Sequence, residues 1–428
     1  MIRIMNRFFQ ISWIVSVLCI AFWACNTDNM PEPEPDPVVI VPAEPIKITV
    51  RQSSKVDADN CFSFKIFKEV SVLNGENTFF SPLSLNLALG MLYNGASGDT
   101  RTEMAEAMGM GDFTATEINE YYQKMSKALL EIDTLTKISI ANSIWYRDGF
   151  PVKKSFFDIN QTYFDAMVKA LNFSSPDAAE IINKWCAEKT NDRIKEIIQN
   201  PIDNLTVMFL INALYFKSKW QSEFDKAKTK PDDFTLTDNR KKKVNMMEQT
   251  AAFPYYADQY LQCVEMPYGN EAFSMVAVLP ADNMNIEQLI DYLDNTKWQN
   301  ILTNLFPRNV FLKLPRFKIE CEIPLNKPVK NVGMQRIFVP TIAEFDNIVD
   351  TKVIRDLYVS NIKQKTFVEV NEEGTEAAAV TVVEIGVTSV GPGPAPIQFF
   401  ANRPFLYLIK EKSTGAILFI GRMDEPKE

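Results

Sequence analysis

Residues 375–398 constrain this 428-residue chain more than any other stretch. From Thr375 the side chains separate onto two strand faces. One face holds Thr375, Ala377, Ala379, Thr381, Val383, Ile385 and Val387; the other holds Glu376, Ala378, Val380, Val382, Glu384, Gly386 and Thr388. Both charges fall on one face, the pattern of a half-buried strand. Yet Ser389 to Gln398 follows at once, and its Gly-Pro-Gly-Pro-Ala-Pro run is loop chemistry that cannot sit inside a sheet. Pattern alone leaves two readings: an edge strand with an irregular connection, or a loop that carries the sequence of a buried strand.

Composition removes several enzyme classes. The chain has no histidine, so neither a Ser-His-Asp or Cys-His relay nor an imidazole-ligated zinc site can form. G-x-x-x-x-G-K, G-x-G-x-x-G and G-x-S-x-G are all absent. Ser360-Asn361-Ile362-Lys363 matches S-x-x-K, a pattern short enough to arise by chance. A net charge of −9 argues against nucleic acid as a partner, which requires a basic face. Arg240-Lys241-Lys242-Lys243 is a basic run that reads as a solvated hairpin beside Thr237-Asp238-Asn239, or else as a polyanion site. No cofactor is implied.

The N-terminus reads as an address. Arg3 and Arg7 precede an uncharged, mostly apolar stretch from Phe8 to Ala24, as in a secretory signal over residues 1–24. A small residue, Ala24, stands before Cys25, which resembles the lipidation site of bacterial lipoproteins; an ordinary signal or an uncleaved anchor is the alternative. Residues 25–50 are rich in proline, and a polyproline II tether of about 20 residues reaches roughly 60 Å. The expected location is the cell envelope or surface, lipid-anchored through Cys25, or otherwise secreted or periplasmic. Cys61, Cys186, Cys263 and Cys321 form no C-x-x-C pair and read as buried free thiols.

From residue 51 to 428 no second linker and no repeat interrupts the chain, so a single domain is expected. Helical spacing occurs at 62–73, 81–94, 116–130 and 177–190, with Ser81-Pro82 as a cap followed by proline at the first helical position. Strand-like runs occur at 137–146, 206–217, 273–279, 309–319, 364–371, 404–410 and 416–421. The two kinds do not alternate regularly, which predicts an α+β fold rather than a doubly wound sheet.

Longer motifs narrow this further. Phe367-Val368-Glu369-Val370-Asn371-Glu372-Glu373-Gly374-Thr375-Glu376-Ala377-Ala378-Ala379 resembles the hinge of the serpins, nearly letter for letter. Asn77 to Ser84, Gly95 to Thr100, Asn183 to Asn191, Asn212-Ala213-Leu214-Tyr215-Phe216-Lys217-Ser218-Lys219-Trp220, Leu314 to Ile319 and Asn402-Arg403-Pro404-Phe405 resemble further motifs of the same family, in the same order. The resemblance implies three β-sheets with eight to nine helices and a reactive-centre loop at about 375–398. It implies a suicide substrate, not an enzyme: a protease cleaves the loop and is held as an acyl-enzyme while the freed strand enters the central sheet. Glu372, Gly374, Thr375 and Ala377 to Ala379 would form the hinge. Ser81, Ser84, Asn212 and Trp220 match the residues where the sheet opens, and Gln364 stands where many relatives have histidine. The family's usual spacing from Glu372 places the reactive bond at Thr388-Ser389, with Ile385 and Val387 before it.

The segment itself is compatible with insertion. Thirteen residues from Thr375 to Val387 make a strand of roughly 40 Å, uninterrupted by proline. No Lys, Arg, Phe, Tyr, Trp, Leu or Met lies between Gly374 and Gln398, so the loop suits a small aliphatic pocket. The expected partner is an elastase-like or subtilisin-like serine protease, with a papain-like cysteine protease as runner-up, engaged by a monomer. A non-inhibitory serpin-like binding protein is the alternative; proline or bulky charged residues at 377–381 would favour it and are absent.

Overall fold

The computed structural model describes residues 41–75, 77–350, 352–354, 356–375 and 394–428. The expectations for Cys25, Ala377, Ala378, Ala379, Ile385, Val387, Thr388 and Ser389, like the signal, lie outside the described residues. Nine α-helices are described: α1 Val50–Asn74, α2 Pro82–Gly95, α3 Gly98–Ala107, α4 Ala115–Glu131, α5 Lys154–Phe164, α6 Ala178–Lys189, α7 Ile286–Tyr292, α8 Asn295–Asn304 and α9 Asn326–Asn331. The first strands are β1 Thr78–Phe80, β2 Lys137–Arg147, β3 Met167–Leu171, β4 Met208–Lys219, β5 Lys230–Thr235, β6 Lys241–Ala257, β7 Leu261–Pro267 and β8 Phe273–Pro280. Then come β9 Phe306–Pro315, β10 Phe317–Pro324, β11 Lys363–Val370, β12 Gly374–Thr375, β13 Ile397–Phe400, β14 Phe405–Glu411 and β15 Ile417–Met423.

Local chemistry sets the helix starts. Ser81 caps α2, its hydroxyl accepting from the Ser84 N–H, and Pro82 occupies the first turn as the sequence predicts. Helix α1 begins at Val50, earlier than its apolar periodicity, because Thr49 and Gln52 close a capping box ahead of two polar turns. Just before it, the Ala43 N–H donates to the Asn270 carbonyl and the Ile46 N–H to the Ser413 hydroxyl, so residues 43–46 lie against the body.

The strands form two hydrogen-bonded networks. One runs β10-β11-β12-β4-β2-β3; the other has nine strands, β1-β15-β14-β8-β7-β6-β9-β13 with β5 also on β6. The 17-residue β6 explains how three sheets become two networks. It pairs with β5 over Lys241–Met246 and with β9 over Met246–Tyr255, then touches β7 through Tyr255–Ala257 alone. Two sheets are thus continuous at one corner. The α+β architecture is the one expected from the sequence.

Helix α2 is apolar nearly all round, as a helix must be when buried on every side. It packs between β4 of the six-stranded sheet and β15 of the other. On the outer face of the six-stranded sheet, α6 makes a separate cluster in which Ile182 and Trp185 meet Trp145 and Ile211. Helix α2 is therefore the floor beneath β4, and α6 lies above it. Among the described residues no helix is long and apolar enough to cross a membrane.

One buried ion pair ties β14 to β7. Lys410 Nζ lies 2.8 Å from Glu265 Oε1, and the Ser274 hydroxyl donates to the same oxygen at 2.6 Å. Burial pushes the Glu265 carboxyl up, but the Lys410 ammonium outweighs it and holds the carboxyl below its ordinary value. The stability it adds is present above about pH 4.3, the unfolded value, and is lost as pH falls through the lower native value. We expect Glu265→Gln at neutral pH to cost about 3–5 kcal/mol, because it strands a buried ammonium. Denaturant unfolding checks this: the Glu265→Gln/Lys410→Met double variant should recover most of the loss, and a single variant as stable as the parent would refute it.

Candidate functional site: an open slot and its hinge

Strand β12 is two residues long and stands between β11 and β4. Gly374 faces Lys219 and Thr375 faces Ser218 on one side, while Val370 faces Thr375 on the other. Below that pair, among the described residues, β4 pairs only with β2 and β11 only with β10. Their facing edges are unpaired ladders, each a template for one more strand. Between them lies a cavity of about 820 Å³. Met208, Leu210 and Asn212 form one lip, Lys363 and Gln364 the other; Leu85 and Leu89 of α2 make the floor, and Ile197 and Ile198 cover the outside.

The top of the slot is held by a dense set of bonds. The Trp220 indole N–H donates to the Asn371 carbonyl at 2.9 Å, and its backbone N–H donates to the Glu373 carbonyl at 2.9 Å. The Phe224 N–H donates to the Glu372 carbonyl at 2.9 Å. The buried Glu372 carboxylate accepts from Arg316 Nε at 2.7 Å and from the Thr229 hydroxyl, and Lys226 pairs with Glu373. Burial pushes the Glu372 carboxyl up, but Arg316 and Thr229 outweigh it and leave it below its ordinary value. Thr375 is buried, its hydroxyl 2.5 Å from that of Tyr268, whose ring stacks on Trp220 with centroids 4.5 Å apart.

Lower down, Gln364 reaches from β11 to the start of α2. Its Nε2 donates to the Ser81 carbonyl at 2.9 Å and its Oε1 accepts from the Ser81 N–H at 2.7 Å. The Ser81 hydroxyl in turn donates to the Leu418 carbonyl at 2.8 Å. Asn212, on the opposite lip, donates through Nδ2 to Asn142 Oδ1 on β2 at 2.8 Å.

The residues singled out in the sequence therefore fall into three places. Ser81, Ser84 and Gln364 come together; Asn212 stands across the slot from them; Trp220 sits at the top with Glu372, Gly374 and Thr375. Tyr268, Thr229, Arg316 and Asn142 were not foreseen. Only Arg316 carried a signal, as part of a family motif. The S-x-x-K lysine, Lys363, lies 3.5 Å from Glu322. Every residue of the basic run is paired, Arg240 with Asp238, Lys241 and Lys243 with Asp233, and Lys242 with Glu425, as a solvated hairpin should be. The four cysteines are free; Cys61 is exposed, whereas burial pushes the Cys186 thiol up to about 12.

Gly374 has a φ of 154°, and a Cβ there would lie 2.1 Å from the Ser218 carbonyl oxygen and 2.6 Å from Lys219 Cα. We expect Gly374→Ala to unpair β12 from β4 at a cost of about 1–3 kcal/mol. Thermal unfolding should fall and proteolysis after residue 374 should quicken; an unchanged melting curve would refute the close approach.

Comparison with known proteins agrees with this geometry. Residues 57–426 match the family model "Serpin (serine protease inhibitor)". An uncharacterised serpin-like protein of Thermococcus kodakarensis is 33% identical, over 87% of this chain and 86% of its own. Iripin-2 of Ixodes ricinus is 31% identical, over 86% of this chain and 92% of its own. Among solved structures, the thermophilic serpin tengpin in its native state superposes with a TM-score of 0.79 at 32% identity, covering 90% of this chain and 97% of that one. The same protein in its latent state gives 0.76 at 30% identity, covering 90% of this chain and 100% of that one. A family match across the whole described body, beneath a slotted sheet of this kind, makes the chain a member of the serpin family.

Proposed function

We propose that this protein is a suicide-substrate inhibitor of elastase-like or subtilisin-like serine proteases. The observation that carries the reading is the register at the top of the slot. Continued downward from Gly374↔Lys219 and Thr375↔Ser218, it sets Ala377 opposite Phe216, Ala379 opposite Leu214 and Ile385 opposite Met208. Phe216 and Leu214 point into the main core, so a strand inserted in this register would turn Thr375, Ala377, Ala379, Thr381, Val383 and Ile385 inward. The face without charge would then be the one that meets α2, and Glu376 and Glu384 would remain outside. A slip of one residue would bury both glutamates. Slot and segment match in length, in register and in polarity.

The chemistry follows from that match. The protease serine attacks the Thr388 carbonyl; the Thr388–Ser389 bond breaks, the new Ser389 amine leaves, and an ester joins the protease to Thr388. The freed strand then gains two ladders of hydrogen bonds, and the ester is carried with it before water can resolve it. Strand addition of this kind is a recurring mode of recognition, of which serpin loops are an established example. The charge-free, non-aromatic residues near the bond fit a small aliphatic pocket, whereas a trypsin-type pocket with its buried carboxylate needs a basic residue. Ala24-Cys25 and the proline-rich stretch after it support anchoring by a lipid on Cys25 at the cell surface.

The test is a protease panel read on denaturing gels. An elastase-type enzyme should form a complex that survives boiling in detergent, with a released peptide beginning at Ser389 or within two residues of it. Trypsin should form none. Cleavage by every enzyme without a stable complex would refute the inhibitor reading, and a stable trypsin complex would refute the specificity.

Thr375→Arg should convert inhibitor to substrate. It removes the Tyr268 contact and forces a large charged side chain into a buried, close-packed position. Complex yield should fall about tenfold or more while cleavage continues, as counted by inhibitor consumed per enzyme inactivated; an unchanged count would remove Thr375 from the insertion path.

A further inference from the structure

Helix α1 carries a buried lysine for which the inhibitor reading has no use. Lys55, in its second turn, is 1% exposed. Its ammonium pairs with Asp59, four residues on along the same helix face, and lies 3.2 Å from the Tyr122 hydroxyl of α4. The rings of Tyr121 and Tyr122 stand over the same nitrogen, with centroids 5.2 Å and 4.8 Å away. Asp59 Oδ1 accepts from both the ammonium and the Tyr122 hydroxyl, the latter at 3.1 Å, while Oδ2 is buried without a hydrogen-bond partner. This pair differs from Lys410–Glu265. There the ammonium and Ser274 hold the carboxyl below its ordinary value, and the pair stays ionised. Here burial outweighs Asp59 and pushes the Lys55 amine below its ordinary value, toward the neutral form. Burial also pushes the Tyr121 and Tyr122 phenols well above theirs, so both keep their protons.

We propose that Lys55 and Asp59 become joined by an intramolecular amide bond, formed by the chain itself without a further reagent. Acyl transfer requires a neutral amine, a carboxyl carbon held beside it, and a fixed donor for the oxygen that turns negative. Oδ2 bears no hydrogen bond, so the carboxyl can turn about Cβ–Cγ and present its carbon to Nζ. A proton passes from the ammonium to Oδ2, which leaves a neutral amine and a neutral acid. Nζ then attacks Cγ, and the charge that develops on Oδ1 meets the Tyr122 O–H. The Cγ–Oδ2 bond breaks, a second ammonium proton joins Oδ2, and water leaves. Of the three ammonium protons two depart with the water and one stays on the amide, so the step needs no other reactant. The product removes the cost of holding two charges in the interior. Its carbonyl keeps the Tyr122 bond, and its ring staples the polar first turns of α1.

The test is mass mapping of the full chain, unfolded, reduced and digested with trypsin. Gln52–Lys65 should appear as one peptide, lighter than its sequence by one water and uncut after Lys55, because the trypsin pocket takes a free cationic side chain. Fragmentation should place the loss between Lys55 and Asp59. Hydroxylamine, which opens a cyclic imide at an aspartate, should leave the peptide unchanged. Lys55→Arg cannot supply a neutral amine, so it should release Val56–Lys65 at full mass. Tyr122→Phe removes the donor to Oδ1 and should leave a fraction of the chains uncross-linked and cut after Lys55. A wild-type chain of full mass that trypsin cuts after Lys55, or a water loss that hydroxylamine removes, would overturn the cross-link and leave an ordinary buried ion pair. Complete cross-linking in Tyr122→Phe would overturn the part given to Tyr122.

Discussion

Gly374 and Thr375 are the only described residues that join β4 to β11. Everything else about this molecule turns on how little that is. Ten further positions, 376 to 385, separate the last paired residue from the foot of β4 by register. A strand filling both ladders would add about two hydrogen bonds per position, and at a net gain of about 0.5–1.5 kcal/mol per bond those positions would be worth on the order of 10–30 kcal/mol, at least the whole stability of an ordinary domain. On the insertion reading, the open form is a kinetically held state, and its lifetime is governed by whatever keeps the strand out.

Two devices at opposite ends of the slot keep the sheet poised. At the top, Trp220 and Phe224 hold the three carbonyls of the Asn371–Glu373 turn, and Arg316 pins Glu372. These contacts engage the first residues of the hinge, so on the insertion reading they set where a strand can begin without committing it to enter. Lower down, Gln364 fastens β11 to the first turn of α2 through Ser81, and Asn212 fastens β4 to β2 through Asn142. Each lip is bonded away from the other. The slot is therefore bounded by edges each held from behind, and on the insertion reading an incoming strand would meet ladders already formed in the right phase.

Much of this was legible in the chain. The hinge motif pointed to the family; α2, α4, α6, β2, β4, β8, β11, β14 and β15 follow apolar periodicity closely. What escaped has physical causes. The first turns of α1 are polar and depend on a cap, so periodicity is silent there. Strand β6 bends between two sheets, and Pro254 faces Pro307 across its ladder, which reads in sequence as a break. The contact of Tyr268 with Thr375 spans 107 residues and leaves no local trace. The same holds for Asn212 and Gln364. Motif matching grouped them as one cluster, whereas the fold sets them on opposite lips with separate partners.

Glutamine at position 364 gains its meaning from the same geometry. An imidazole at position 364 would titrate near neutrality, and its protonation would disturb whichever of the Ser81 groups it accepted from. The glutamine amide carries a donor end and an acceptor end aimed in fixed directions, and it meets the Ser81 carbonyl with one and the Ser81 N–H with the other. With no histidine anywhere in the chain, and with Arg316 and Thr229 outweighing burial to hold Glu372 below the ordinary carboxylate range, neither Gln364 nor Glu372 changes charge between about pH 5 and 8. On the insertion reading, release of β11 from Ser81 is therefore a matter of hydrogen-bond geometry at Gln364, not of its protonation.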